Sequence, residues 1–162
     1  MTCKGVVRFR PEHEAEFCFT QGRLSSGFLF LGGMAAIDAQ GEVLHKGDLA
    51  AQMRAIYQDI AELLAGYGMS LEDIVRETIF TADIEAWRQT LPLRREIFGA
   101  ATPPPGSIVG VSALADPDML IEIEITARRR SFGRRIIKAF SDALVARTTY
   151  CPSVAISGRV LM

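Results

Sequence analysis

The clearest periodicity in the chain lies in the segment where Leu49, Met53, Ile56, Tyr57, Ile60, Leu63 and Leu64 recur at helical spacings. Asp48 stands where an N-cap belongs, and Gly66 and Gly68 suit the left-handed stop of a C-cap. The spacing predicts one long amphipathic helix. Ser70-Leu-Glu-Asp73 then carries capping-box chemistry over a short turn. Ile74, Val75, Thr78, Ile79, Phe80 and Thr81 are β-branched or aromatic, which predicts a strand ending at Ala82-Asp83. A second helix is expected beyond it, with Trp87, Leu91 and Phe98 on its apolar face. Pro92, which lacks a backbone donor, belongs in its first turn or at a kink.

Elsewhere the pattern is shorter. Gly5 to Phe9 alternates weakly, Pro11-Glu-His13 reads as a turn, and Phe17 to Thr20 reads as a short strand broken by Gln21-Gly22. Phe28-Leu-Phe-Leu31 is an apolar run of the kind that fills a sheet interior, and it ends at Gly32-Gly33, a pair that marks a bulge or tight turn. Thr102-Pro-Pro-Pro-Gly106 reads as an ordered loop. Ser107 to Leu114 and Met119 to Ala127 flank the turn signal Ala115-Asp-Pro-Asp118, so they are expected to form an antiparallel pair. The order β-β-β-α-β-α-β-β describes an α+β domain, a mixed sheet with two helices packed on one face. Residues 1–130 would form this domain. Ile136, Ile137, Phe140 and Leu144 follow helical spacing, so residues 131–162 are expected to add a C-terminal helical extension packed on it.

Composition narrows the function classes. With 49% hydrophobic and 23% charged residues, the chain can bury a proper core. A formal net charge of −1 gives no global field that would draw the protein onto nucleic acid or anionic lipid. No apolar run approaches the roughly 20 residues that span a bilayer, and the N-terminal residues offer no signal-peptide core, so a cytoplasmic location is expected. Cys3, Cys18 and Cys151 make an odd number without a C-x-x-C pair, and His13 and His45 have no cysteines beside them. Neither a disulfide framework nor a metal site is expected, and no cofactor motif is present.

Several short segments, in order, carry a resemblance. Phe19-Thr-Gln-Gly22, Phe28 to Gly33, Gly41-Glu-Val43, Asp48-Leu-Ala-Ala-Gln52, Leu71 to Val75, Thr78-Ile-Phe80, Pro104 to Val111 and Ile121-Glu-Ile-Glu124 fall at matching spacings. Together they resemble the RidA (YjgF) reactive-intermediate deaminase family from about Phe17 to Ala127. The resemblance implies a fold like the trimeric type of chorismate mutase, with the sheets of a homotrimer lining a central barrel and ligand clefts between neighbouring subunits. It also implies hydrolysis of enamines and imines, such as 2-aminoacrylate, to a keto acid and ammonia. In that family an arginine grips the substrate carboxylate and a glutamate handles protons at the imine carbon.

Carried over on the same resemblance, the glutamate is Glu122, the pocket aromatic is Phe19 and the turn glycine is Gly33 beside Gly32. The remaining substrate-binding positions are Gly106, Ser107 and Ile108. Here the chain departs from the family, because glycine stands at 106 where the family has its arginine, isoleucine stands at 108, and Leu91 stands near a usual asparagine. Arg94 and Arg95 either reach the cleft in place of that arginine or face solvent, paired with Glu96 or Asp83. Three function classes follow. The first is an imine or enamine hydrolase with altered substrate preference, and the second is a silent metabolite-binding or regulatory trimer. The third is an endoribonuclease-like RNA-binding protein, suggested by Arg128-Arg-Arg130 with Arg134, Arg135 and Lys138, but a protein surface is the simpler use of those arginines.

Overall fold

The computed structural model describes residues 5–130. Along the chain run β1 (Val6–Val7), α1 (Pro11–Glu16), β2 (Gly22–Ser25), β3 (Phe28–Met34), α2 (Leu49–Gly66), one 3-10 turn (Leu71–Asp73), β4 (Ile74–Thr81), α3 (Ile84–Gln89), α4 (Leu91–Phe98), β5 (Gly106–Gly110) and β6 (Ile121–Arg128). The strands form one six-stranded sheet in the order β1-β2-β3-β6-β4-β5. Every neighbouring pair is antiparallel except β4 and β5.

The long helix forms as its pattern dictates. The Asp48 carboxylate accepts from the Ala51 N–H, satisfying one of the helix's orphan donors, and Gly68 and Met69 close the far end by donating to Ala65 and Leu64 carbonyls. Its buried stripe of Leu49, Met53, Ile56, Tyr57, Ile60 and Leu64 meets the sheet face made by Leu29, Leu31, Ile79, Ile121, Ile123 and Ile125. Each fully buried isoleucine there contributes roughly 1.5–3 kcal/mol. Because side chains alternate along β6, burying Ile121, Ile123, Ile125 and Ala127 turns Glu122, Glu124 and Thr126 to the opposite face. Among the described residues no helix covers that second face of the sheet.

Several local expectations change. Pro11 to Glu16 is a helix, with Pro11 in its first turn; Phe17 to Thr20 is irregular, and the strand lies instead at Gly22–Ser25. Gly32-Gly33 does not end its strand but bulges inside β3, where the register with β6 shifts between Leu31 and Met34. The second helix divides into α3 and α4, with Pro92 in the first turn of α4. The expected β5–β6 hairpin is overturned: β5 runs parallel to β4, and β4 lies between β5 and β6. The segment between the two strands is held by α2. Gln52, fully buried, donates to the Asp118 carbonyl at 2.8 Å and accepts from the Leu120 N–H at 2.9 Å, so the chain leaving the turn at Asp116–Met119 is captured by the helix before β6 begins. The expected C-terminal helix lies outside the described residues.

Candidate functional site

Glu122 lies on the uncovered face, opposite Phe80 of β4, and on its other side β3 bulges at Gly32-Gly33. Gly33 is what makes room for it. A Cβ on residue 33 would fall onto the Glu122 carboxyl and stand 2.9 Å from its Cγ, so only glycine lets backbone and carboxyl approach this closely. The carboxyl is half-buried, and among the described residues no hydrogen bond or ion pair engages it. Its pKa is raised above the usual carboxylate value, first by burial and then by the charge of Glu124.

Phe19 is brought to this end of the molecule by a second carboxylate. Glu14, fully buried on α1, accepts from the backbone N–H groups of Phe9 (2.6 Å), Arg10 (2.9 Å) and Gln21 (3.0 Å) and from the Arg8 guanidinium (3.1 Å). Burial alone would raise its pKa, but these donors outweigh burial and hold it below the usual value. Gln21 in turn donates through its amide to the carbonyls of Gly33 (3.2 Å) and Gly32 (3.4 Å), while the Gly32 N–H donates to the Gln21 carbonyl at 2.9 Å. The Phe19 ring meets His13 edge-on at 5.9 Å. Gln21 thus ties the segment that follows Phe19 to the Gly32-Gly33 bulge, against which the Glu122 carboxyl lies.

Gly106, Ser107 and Ile108 belong elsewhere. In register, Glu122 faces Phe80 and Phe80 faces Val109, so Gly106 lies two strands across and three residues along. At ordinary strand spacings that is about 14 Å. Gly106 also shares its face with Glu77, its β4 partner, on the helix-bearing side, whereas Glu122 is on the uncovered side. A single chain therefore does not bring the seven candidate residues together.

Beneath Gly106 lies a cluster that the sequence pattern did not reveal. Glu77 is 2% exposed, and its Oε2 accepts from the Tyr57 hydroxyl at 2.9 Å, while Arg94 donates to its Oε1 and to the Tyr57 oxygen. The guanidinium also lies over the Phe98 ring, 4.9 Å from its centre. Burial and, next, the Glu77 charge push the Tyr57 hydroxyl pKa far up, so it stays a donor. Arg94 is thus neither a solvent-facing charge nor a partner of Glu96 or Asp83. Glu96 pairs with Arg54, and Asp83 caps α3 at the Ala86 N–H.

The uncovered face carries a groove of about 380 Å³ along Phe30, Gly32, Arg76, Thr78, Glu124 and Thr126. Of the basic run, Arg128 lies over the Phe28 ring and Arg129 donates to the Tyr67 carbonyl, so both serve the fold; Arg134, Arg135 and Lys138 lie outside the described residues. Among the described residues no group of His, Cys, Asp or Glu is arranged to hold a metal ion, and no helix is long and apolar enough to cross a membrane.

Comparison with known proteins accords with this architecture. A RutC family protein of Pyrococcus horikoshii is 32% identical over 109 residues, which cover 67% of this chain and 85% of that protein. The crystal structure of a YjgF/YER057c/UK114 family member from Mycobacterium tuberculosis superposes with a TM-score of 0.65 at 28% identity, covering 76% of this chain and 98% of that one. E. coli TdcF, solved with bound serine, gives a TM-score of 0.62 at 26% identity over 69% of this chain and 88% of its own. The α+β fold is accordingly the chorismate-mutase-like fold of these proteins. With residues 10–129 matching the family model for endoribonuclease L-PSP, the chain belongs to that family, the YjgF/RutC/RidA group, whose function is of a small-molecule deaminase-like or endoribonuclease-like kind.

Proposed function

We propose that this protein hydrolyses small imines or enamines to a carbonyl compound and ammonia, in a cleft completed when copies of the chain associate as a homotrimer. The observation that carries this reading is Glu122, a half-buried carboxyl of raised pKa, with no partner among the described residues, held against the Gly33 backbone. Such a group keeps its proton closer to neutrality, where it serves best as general acid and, once ionised, as general base. Water oxygen bonds to the imine carbon while the C=N electron pair moves to nitrogen, which takes the Glu122 proton. The carboxylate takes a proton from the added water. Glu122 then gives its proton to the carbinolamine nitrogen, and as the C–N bond breaks and C=O forms the carboxylate takes the hydroxyl proton, so the nitrogen leaves as ammonia and the acid is restored. An enamine enters the same sequence after protonation at carbon.

The separation of the half-sites supports the assembly. Glu122, Gly33 and Phe19 lie at one end of the chain and Gly106, Ser107 and Ile108 on its edge strand, so a cleft holding all of them takes its two sides from neighbouring copies. E. coli TdcF, solved with bound serine, is a relative that holds a small molecule. The test is ammonia release from a panel of imines generated in situ, with and without a carboxylate, by the native protein and by Glu122→Gln. Release that Glu122→Gln abolishes supports the hydrolase. Release indistinguishable from the spontaneous rate for every imine sinks it, and a light-scattering mass of one chain sinks the shared cleft. A second reading, binding of a metabolite without turnover, is favoured by Gly106, which offers no cation to anchor a substrate.

A further inference from the structure

The bulge that receives Glu122 is held from its other side by one side chain. In the sheet β3 lies between β2 and β6, so Gln21, the residue before β2, and Glu122 on β6 flank Gly32-Gly33 from opposite sides. Carbonyls of successive residues in a regular strand point alternately to its two neighbours. Here both turn to the same one: the Gln21 amide nitrogen donates to the Gly33 carbonyl at 3.2 Å and to the Gly32 carbonyl at 3.4 Å. Because both partners are acceptors, only the nitrogen end of the amide can face them.

Gln21 is itself fixed. It is buried, its N–H donates to Glu14 at 3.0 Å, and its carbonyl accepts from the Gly32 N–H at 2.9 Å. Main chain and side chain are thus both committed, just beyond the β2–β3 register that starts at Gly22 and Leu31. Without the amide donors the Gly33 carbonyl would lose its partner and could turn toward β6. The group it would meet there is the Glu122 carboxyl, which already lies against the Gly33 backbone. The amide therefore serves the carboxyl in two ways. It sets the shape of the bulge, and it keeps acceptor oxygens turned away from a group that must ionise.

From this we infer that Gln21 is a positioning residue for Glu122: its amide locks both carbonyls of the Gly32-Gly33 bulge toward β2, and so fixes the backbone surface against which the Glu122 carboxyl lies. Any effect of Gln21 on the chemistry passes through Glu122. The inference rests on the hydrolase reading for its effect on rate, but the placement of the carboxyl is read without turnover.

Gln21→Met keeps the length of the side chain and removes both donors, and two readouts then separate positioning from general support of the fold. The first is the titration of Glu122, followed by carbon-13 NMR of its carboxyl. In the native protein its pKa is raised, first by burial and then by Glu124. Relaxation of the bulge in Gln21→Met admits water, so the pKa is expected to fall toward the ordinary value of 4.5. The charged side chains of the strands on its face are Glu124 and Arg128 of β6, Arg76 of β4 and Arg23 of β2, and the substitution alters none of them. The second readout is the imine assay, where kcat should fall about tenfold with KM near the native value, because the carboxyl and not the substrate is displaced. A third measurement uses the native protein alone: the Gln21 side-chain amide protons should exchange with solvent about tenfold more slowly than those of the exposed Gln40. A Glu122 titration unmoved in folded Gln21→Met overturns the inference, and so do Gln21 amide protons that exchange as fast as those of Gln40. If Gln21→Met does not fold, the exchange measurement decides. Absence of ammonia release from the native protein, with the Glu122 titration moved in Gln21→Met, would end the hydrolase reading and leave the positioning of the carboxyl standing.

Discussion

Glu77 and Glu122 lie on neighbouring strands of one sheet, three register positions apart on opposite faces, and they have become different chemical objects. Glu77 is the more deeply buried, yet both its oxygens are matched by Tyr57 and Arg94, so its charge stabilises a packed cluster and is spent there. Glu122 is only half-buried, but what surrounds it is the Gly33 backbone, the aromatic Phe80 and a second carboxylate, Glu124. Depth of burial does not separate the structural carboxylate from the one proposed to do chemistry. What separates them is whether the fold supplies donors for the charged form, and Glu14, with four donors and a lowered pKa, falls on the structural side with Glu77.

The sharpest way to break this contrast is to neutralise Glu122 and, separately, to remove the cation that pairs Glu77, and to compare activity with stability. Glu122→Gln is expected to lower ammonia release by about 10²–10⁴-fold, as loss of a general acid–base group does, while leaving the unfolding midpoint near that of the native protein. Arg94→Ala should do the opposite. It leaves the Glu77 charge buried and unpaired, so urea unfolding at a fixed protein concentration should show a loss of about 3–5 kcal/mol. If Arg94→Ala unfolds like the native protein, the pair is not a structural element.

Glu14→Gln tests the third carboxylate. It puts an amide against donors that need acceptors, with an expected loss of about 2 kcal/mol. The pH dependence has a definite sign. Because the folded-state pKa of Glu14 lies below its usual value, its contribution is present above the normal carboxylate range and is lost as pH falls through the folded pKa. The native protein should therefore lose more stability than Glu14→Gln on acidification below about pH 4.5, the ordinary glutamate value. Equal slopes for the two proteins would show that Glu14 is not held ionised by the fold.

Smaller effects refine the Glu122 side. Gly33→Ala places a methyl group where the Glu122 carboxyl lies, and the displaced carboxyl should lower turnover about tenfold. Glu124→Gln removes one of the two causes that raise the Glu122 pKa, so the limb of the pH–rate profile that reports Glu122 should move to lower pH. A profile unmoved by Glu124→Gln would assign that limb to another group.

Much of the scaffold is written locally. The α2 stripe, its Asp48 cap, the Ser70–Asp73 capping box and the span of β4 follow from period, capping chemistry and β-branching within a few residues of each other, which is why they were legible. The short helix at Pro11–Glu16 was not, because six residues carry no full apolar period and Pro11 reads equally as turn or first helical position. Family motifs placed Glu122 and Gly33 in one list with Gly106, but could not say that one chain holds them apart.

The sequence by itself determined an α+β domain, its long helix, the strand alternation that turns Glu122 away from the core, and the family to which the chain belongs. Only the tertiary structure decided that β5 joins β4 in parallel, that Gln52 captures the chain before β6, and that Arg94 closes on Glu77 beneath Gly106. The physical reason is range. Capping and periodicity act between residues a turn or two apart. The Glu77–Tyr57–Arg94 cluster instead joins three elements 17 to 37 positions apart in the chain, and it exists only once α2 and α4 have packed on the sheet and removed the water that would otherwise solvate each group separately.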